Sequence, residues 1–545
     1  MSWFFRDRVS AFSLFAAVLS CVPLAGFSQS ARPPYGVSTG PYRIAGVLEN
    51  ASTGEAVRKG LVQALDSTGH TVASSMTDTE GRFSLEHLGA AKYQLLASKR
   101  GFRTASYDEH DEFASSIVTG QDQDTTHLRY KLIPNSVLFG VVSSDDGEPV
   151  ANATVMVFKR PKHAGTGERV QRVGGTVTDD TGAYEIADLA SGEYMLAVTA
   201  EPWYALHGSS AGKQNNALDV VYPITYFDST TEEQSATPIA LTGGMRQEVN
   251  LSLHAVPALH ISIPAPEKAD GSVVMPQLQR VAFGNVIDTD GGGDLYGGAQ
   301  GRTFEVGGVA PGHYQLTEGD PPHVLDLNLS ASQQIDADAG IAANSVGGRV
   351  RMVAGGLPEE MTLTLERSDG GAGESRYATE VRDGRFRFMP VPPGEYTMWA
   401  TAEDKQIPVI AVGTQGAQQA GNVIQLREGG PALVVTLSSA ATRIEGFTNK
   451  DGKGFAGAMM VLLPKNPAQW KALTRRDQSD SDGSFAFRDV APGEYTAVAI
   501  EDGWTLDWTI PAVMDRYLRA GINVTVSGNS AKVVKLAGPV AVQGR

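Results

Sequence analysis

Thr178-Asp179-Asp180-Thr181-Gly182-Ala183-Tyr184-Glu185-Ile186, followed shortly by Gly192-Glu193-Tyr194-Met195-Leu196, is the stretch from which the chain can be read. Asp-x-x-Gly is a tight turn in which glycine supplies positive φ. Tyr184-x-Ile186 alternates with period two, the mark of a half-buried strand. Gly192-Glu193 turns the chain again, and Tyr194 opens a further strand with its ring on the core face and its hydroxyl toward the rim. The unit is expected to be a hairpin of turn, strand, short connection and strand.

The same punctuation returns four more times. The first copy reads Asp78-Thr79-Glu80-Gly81-Arg82-Phe83, then Tyr93; a weaker one has Phe304, then Pro311-Gly312-His313-Tyr314. Asp383-Gly384-Arg385-Phe386 leads to Pro393-Gly394-Glu395-Tyr396, and Asp480-Ser481-Asp482-Gly483-Ser484-Phe485 leads to Pro492-Gly493-Glu494-Tyr495. In all five the second aromatic follows the first by ten residues. Arg302 replaces the first glycine in the third copy and Ala91 the second in the first, so the aromatic spacing is the firmer marker.

Upstream of these pairs lies a strand–glycine turn–strand pattern, as in Phe139-Gly140-Val141 before Gly147-Glu148-Pro149-Val150 and Ala153-Thr154-Val155. Downstream lies an alternating closing strand, as in Leu128-Arg129-Tyr130-Lys131-Leu132. Six or seven short strands per roughly 100 residues make a Greek-key sandwich of immunoglobulin size. The fold expected is all-β, a tandem array of about five such sandwiches at 36–135, 136–256 (with a long insertion), 257–343 (degenerate), 344–440 and 441–542. The second module, Gly-x-Val … Gly-x-Pro-Val-x-x-Ala-x-Val … Thr-Asp-x-x-Gly-x-Tyr-x-Ile … Gly-x-Tyr-x-Leu, resembles the carboxypeptidase regulatory-like domain. The resemblance is good in modules one, two and five, fair in four and poor in three. It implies a transthyretin-like or carbohydrate-binding-like β-sandwich of bacterial exported proteins, with no reaction of its own. Pilin relatives carry a Lys–Asn isopeptide bond from a first-strand lysine; the first strands here hold none, so no such cross-link is expected.

Composition agrees with many short strands: 545 residues contain 61 Gly and 28 Pro. The net charge of -16, from 61 acidic and 45 basic residues, gives no electrostatic reason to bind nucleic acid. Arg6, Asp7 and Arg8 precede an apolar run from Ala11 to Gly26 and the small residues Ser28, Ser30 and Ala31, which reads as a secretory signal peptide over 1–30. The lone cysteine, Cys21, falls inside it. Conventional cleavage leaves a chain without thiols; Val18-Leu19-Ser20-Cys21 also resembles a lipobox, which would lipidate Cys21. No later segment is long and apolar enough for a transmembrane helix, and no long run of barrel strands remains for an outer-membrane receptor.

A search for chemistry returns little. The nearest approach to a zinc motif among ten histidines is His323 … Asp326. Gly208-Ser209-Ser210-Ala211-Gly212 matches a nucleophile elbow but stands in a polar insertion. Asp288 to Asp294, Asp477/Asp480/Asp482 and Asp179-Asp180 are acidic turns that could hold calcium, yet aspartate is what these turns need anyway. No catalytic residue, cofactor or metal is therefore assigned. Trp203, Tyr204 and Trp504 fall just beyond the tyrosine strands, at loop ends where aromatic faces stack on sugar rings, and are the candidate ligand contacts. Trp399 is expected in the core. A helix is expected from Pro511 to Gly521, with Val513, Met514, Tyr517 and Leu518 on one face. The function expected is an extended, non-enzymatic array outside the cytoplasm, in the periplasm, at the cell surface or extracellular, binding a glycan or a cell-surface protein. The alternatives are a passive spacer or scaffold of the cell envelope, or the accessory subunit of a separately encoded hydrolase.

Overall fold

The structure, a computed structural model, describes residues 40–545 except 162–169, 208–216, 266–271, 291–292, 299–300, 319–322, 337–340, 355, 369–375, 404, 415, 428, 430–431, 439–441 and 528–532. Residues 1–30, read above as a signal peptide and including Cys21, and Ser210 lie outside the described residues. What is described is nearly all strand, arranged as tandem β-sandwiches, with short α-helices at Trp470–Leu473 and Pro511–Leu518.

One pairing scheme repeats. In the first module, Tyr42–Asn50 pairs antiparallel with Arg82–Leu88 and parallel with Leu128–Leu132. The opposite sheet pairs Leu61–Leu65 with Lys92–Ser98. The equivalent strands do the same in the second module (Ser136–Ser144 with Ala183–Leu189), the fourth (Asn344–Ala354 with Arg385–Val391) and the fifth (Thr442–Asn449 with Ser484–Val490). The third, degenerate in sequence, keeps the scheme: Leu259–Pro264 pairs antiparallel with Gly301–Val309 and parallel with Gln333–Gln334. Its missing Asp-Gly turn is replaced by the strand Gly293–Gly298 folded against Gly301–Val309. In the fifth, the last strand Val540–Gln543 pairs with both sheets and joins them.

This corrects the expected hairpin. The two aromatic strands of each repeat do not pair with each other. Arg82–Leu88 belongs to one sheet and Lys92–Ser98 to the other, so the short connection is an arch across the sandwich. The reason is burial. Phe83 and Tyr93 both face one core, 4% and 3% exposed, which two rings on the same face of a flat hairpin would not enclose.

The arch also explains why the second aromatic is always tyrosine. In each module its hydroxyl donates to the carbonyl four residues upstream: Tyr93 to Gly89, Tyr194 to Ala190, Tyr314 to Ala310, Tyr396 to Pro392 and Tyr495 to Ala491, at 2.7–3.3 Å. A tyrosine near a strand start that bonds back to the preceding corner is a known sandwich device. It pins the crossover and satisfies a carbonyl beside the core. Burial pushes the Tyr495 phenol up to about 12, so it stays a donor.

The turns hold themselves by side chains. Thr77 and Thr178, and Ser479 in their place, each donate to one backbone carbonyl (Val57, Val150, Phe455) and accept from one amide (Gly60, Ala153, Ala458). Asp78 and Asp179 then accept from amides two and four residues on. The glycines take φ of 73°, 72°, 68° and 81° at Gly81, Gly182, Gly384 and Gly483.

The modules do not form the extended rod expected. The first docks on the fifth. Asp480, which occupies the position of Asp78 and Asp179, does not cap its own turn with its carboxylate in their manner. It accepts from the Ser116 amide at 2.8 Å and pairs with Lys92 at 2.6 Å. Around it, the Ser481 amide donates to the Ser116 carbonyl, the Ser115 hydroxyl to the Ser479 carbonyl, and the Val118 amide to the Ser481 hydroxyl. Arg476 pairs with Asp111 at 3.3 Å, both largely buried, and lies over Phe113. Tandem order in sequence does not report such a contact, because its partners are more than 360 residues apart.

Candidate functional site

The three sequence candidates separate. Trp203 follows the strand Gly192–Thr199 in a turn closed by the Ala205 amide on the Pro202 carbonyl. It is 88% exposed, the most exposed large apolar side chain among the described residues, and Tyr204 meets it edge-on at 5.7 Å with 38% exposure. That is an open aromatic platform. Trp504 is the reverse: it sits in the short helical turn Gly503–Thr505, 8% exposed, stacked on His110 at 5.2 Å and on Phe113 at 6.0 Å. Its faces are covered by the first module and by the Met514 and Tyr517 side of the helix Pro511–Leu518, so it offers no stacking face to a sugar. Trp504 follows the strand Gly493–Ile500, and the sequence could not show what docks there. Trp399 departs from expectation too. It lies on the outward face of Gly394–Ala402, half-buried, and donates to Glu366 at 2.9 Å; Tyr396, Met398 and Ala400 fill the core instead.

The acidic turns are accounted for by protein partners. Asp179 caps its turn, Asp480 binds the first module, and Asp477 accepts from the Ala486 amide at 2.7 Å. The Asp288–Asp294 run is divided between Asn285–Asp290 and Gly293–Gly298, strands of different sheets. His323 and Asp326 share a strand, but Asp326 bonds His313 across the sheet, which raises the His313 imidazole above its usual range. Among the described residues no group of three or more His, Cys, Asp or Glu could hold a metal ion.

A cleft of about 1330 Å³ opens beneath the clasp of the first and fifth modules, with the fourth as its third wall. Lys92 and Phe113 come from the first, Lys405 and Ile407 from the fourth, Lys471 and Trp508 from the fifth. Sequence reading missed it because no single module contains it. Two of its cations are matched by carboxylates, Lys92 by Asp480 and Arg476 by Asp111. Arg475 is half-buried and donates to the carbonyls of Ala472, Thr474 and Asp489; desolvation lowers its pKa. Two hydroxyls of the wall, Ser438 Oγ and Thr474 Oγ1, are buried with no hydrogen-bond partner among the described residues. The lining contains no histidine and no hydroxyl–base pair.

One group in this cleft makes stability depend on pH. Burial pushes the Asp477 carboxyl up to about 6, against roughly 3.9 in an unfolded chain. Below about pH 4 the acid is protonated in both states and costs nothing. Between about pH 4 and 6 the unfolded chain releases this proton while the native state keeps it, so about 2 kcal/mol of stability is lost over that window; above pH 6 both states are ionised and the loss stays constant. Asp477→Asn keeps an acceptor for the Ala486 amide and removes that loss. Urea unfolding between pH 4 and 7.5 is expected to show a falling midpoint for the parent and a flat one for the variant. Parallel curves would refute the assignment.

Residues 43–132 and 137–219 match the model of the carboxypeptidase regulatory-like domain. No curated protein matches the chain. Among solved structures, a streptococcal ancillary pilin aligns at 11% identity over 54% of this chain and 98% of its own, with a TM-score of 0.19. The TIE protein of Bacillus anthracis aligns at 9% over 92% and 67%, with a TM-score of 0.16. A minor pilin of Streptococcus agalactiae aligns at 14% over 40% and 97%, with a TM-score of 0.19. At these scores the alignments carry no argument about what this chain binds. Among the described residues no helix is long and apolar enough to cross a membrane.

Proposed function

We propose, from the premise that this chain carries two carboxypeptidase regulatory-like domains, that it is an exported, non-catalytic binding protein that recognises carbohydrate. The five sandwiches with the boundaries given above are its proposed folding units. The observation that supports the reading best is Trp203: an indole 88% exposed, braced by Tyr204, at the end of the second sandwich. Exposing so large an apolar ring is costly in water, and a pyranose face would cover it. Glycan arrays probed with the purified protein test this. A glycan retained by the parent is expected to bind Trp203→Ala more weakly by roughly tenfold, the ~1–2 kcal/mol typical of removing an aromatic anchor. Trp504→Ala should act on stability and not on the glycan. Absence of any bound glycan, or indifference to Trp203→Ala, removes the reading.

A scaffold role is the second reading, favoured by the docking of the first module on the fifth. A closed array presents fixed outer faces and suits assembly better than span. A surface protein as partner belongs to this reading.

A further inference from the structure

The fourth module carries a surface that neither reading uses. Strands alternate their side chains, and on Asn344–Ala354 the outward positions are Ser345, Gly347, Arg349, Arg351 and Val353, while Val346, Val350 and Met352 pack on the core. On the neighbouring Arg385–Val391 the outward positions are Arg385, Arg387 and Met389, with Phe386 and Phe388 inward. The register sets Arg349 directly opposite Arg385, and Arg387 opposite Gly347. All four arginines are exposed, and among the described residues none has a side-chain hydrogen bond or an ion pair. Arg349, Arg385 and Arg387 line a shallow groove of about 900 Å³ together with Gly347 and Thr379, and Arg351 continues the same strand face beyond it.

Like charges directly opposed across a strand pair are destabilising. Basic residues on an edge strand have an ordinary use in preventing edge-to-edge pairing. That accounts for Arg385 and Arg387, since Arg385–Val391 is an edge. It does not account for Arg349 and Arg351, whose strand is flanked on both sides. The one carboxylate of the groove, Glu380, is paired with a fifth arginine, Arg382, at 2.8 Å, so in a chain of net charge -16 this face keeps four unmatched guanidinium groups, the complement of a linear anion. Spacings of about 4.8 Å across strands and about 6.7 Å along them suit oxyanions repeated on a chain. Guanidinium groups bind carboxylate and sulfate through paired N–H donors. The groove is lined by hydroxyls, backbone, guanidinium groups and the Arg382-paired Glu380 carboxylate, and its one large apolar side chain, Phe386, is buried. A peptide ligand would find no pocket for an apolar anchor, and nucleic acid no exposed aromatic to stack on.

We propose that this arginine face of the fourth module binds a linear anionic polysaccharide, one bearing carboxylate or sulfate groups. It is separate from the Trp203 platform, and the two fail separately. The test is titration of the full chain with a sulfated oligosaccharide, a polyuronate and neutral dextran at rising salt. Binding is expected for either or both charged chains and not for dextran. Four guanidinium contacts predict a loss of roughly fiftyfold between 50 and 200 mM salt. Arg349→Ser with Arg387→Ser should weaken binding at least tenfold and flatten the salt dependence, with glycan binding at Trp203 unchanged. The variant should melt no lower than the parent, because one member of the facing Arg349–Arg385 pair is gone. Unchanged affinity in the double variant overturns the proposal. So does equal binding of poly-glutamate, or binding only to vesicles containing anionic phospholipid, which would turn the face over to a peptide or to a membrane.

Discussion

Tyr495→Ala destabilises the fifth module by about 3–5 kcal/mol, the range for removing a large buried aromatic, while Tyr495→Phe costs only about 1 kcal/mol. The ring is wholly buried among Ile444, Phe485 and Phe487, so its removal opens a cavity in the centre of the sandwich. The phenylalanine variant keeps the packing and loses one bond, to the Ala491 carbonyl at 2.8 Å. That carbonyl is then left without this partner beside the core, which sets the cost of the small change. Urea unfolding followed by tryptophan fluorescence reads both, since Trp470 and Trp504 belong to the same module. If Tyr495→Phe were as damaging as Tyr495→Ala, the arch bond and not the packing would hold the module. If it cost nothing, the bond would be idle.

Asp480→Ala releases the first module from the fifth. The carboxylate joins Lys92 and the Ser116 amide in one group, and its own side chain is only 12% exposed. Removing it leaves the Lys92 ammonium and a backbone amide short of a partner, a loss of about 2–4 kcal/mol at the interface. The clasp then rests on the bonds of Ser115, Ser116 and Val118 to Ser479 and Ser481, on Arg476 with Asp111, and on the stacking of Trp504 on His110. Small-angle scattering is the direct measure. The parent should give the radius of gyration of a closed array, and Asp480→Ala a larger one. The same substitution at Asp179, equivalent in sequence, should leave the radius unchanged, because Asp179 caps only its own turn. Equal radii for parent and Asp480→Ala would show that the carboxylate does not hold the modules together.

These two residues also mark how far the amino-acid sequence can be read. The ten-residue aromatic spacing marks the same arch five times, the weak third copy included, because burying two rings from opposite sheets demands the same chain length each time. The spacing could not say that the strands part, since alternation describes a strand's faces and not its neighbour. Turn chemistry explained Asp78 and Asp179 fully and misled at Asp480, where an identical motif has a different acceptor role. That role depends on Ser116, a residue with no signature of its own. The candidate contacts divided for the same reason. Trp203 and Trp504 follow equivalent strands, yet one is open and the other covered, and only the packing of distant modules distinguishes them. The arginine face was present in the alternation of both strands, but its meaning rests on the register that sets Arg349 against Arg385.

The clasp makes a circuit of the chain. A tension applied between the first and fifth modules would be carried across Lys92–Asp480 and the Ser116–Ser481 backbone bond, while the second, third and fourth modules, in parallel with that bridge, would hang unloaded. Only when the bridge parts would they come under load, and the molecule would lengthen by three modules without unfolding any of them. A protein built this way stores reach as slack: short while at rest, longer by a fixed step once pulled.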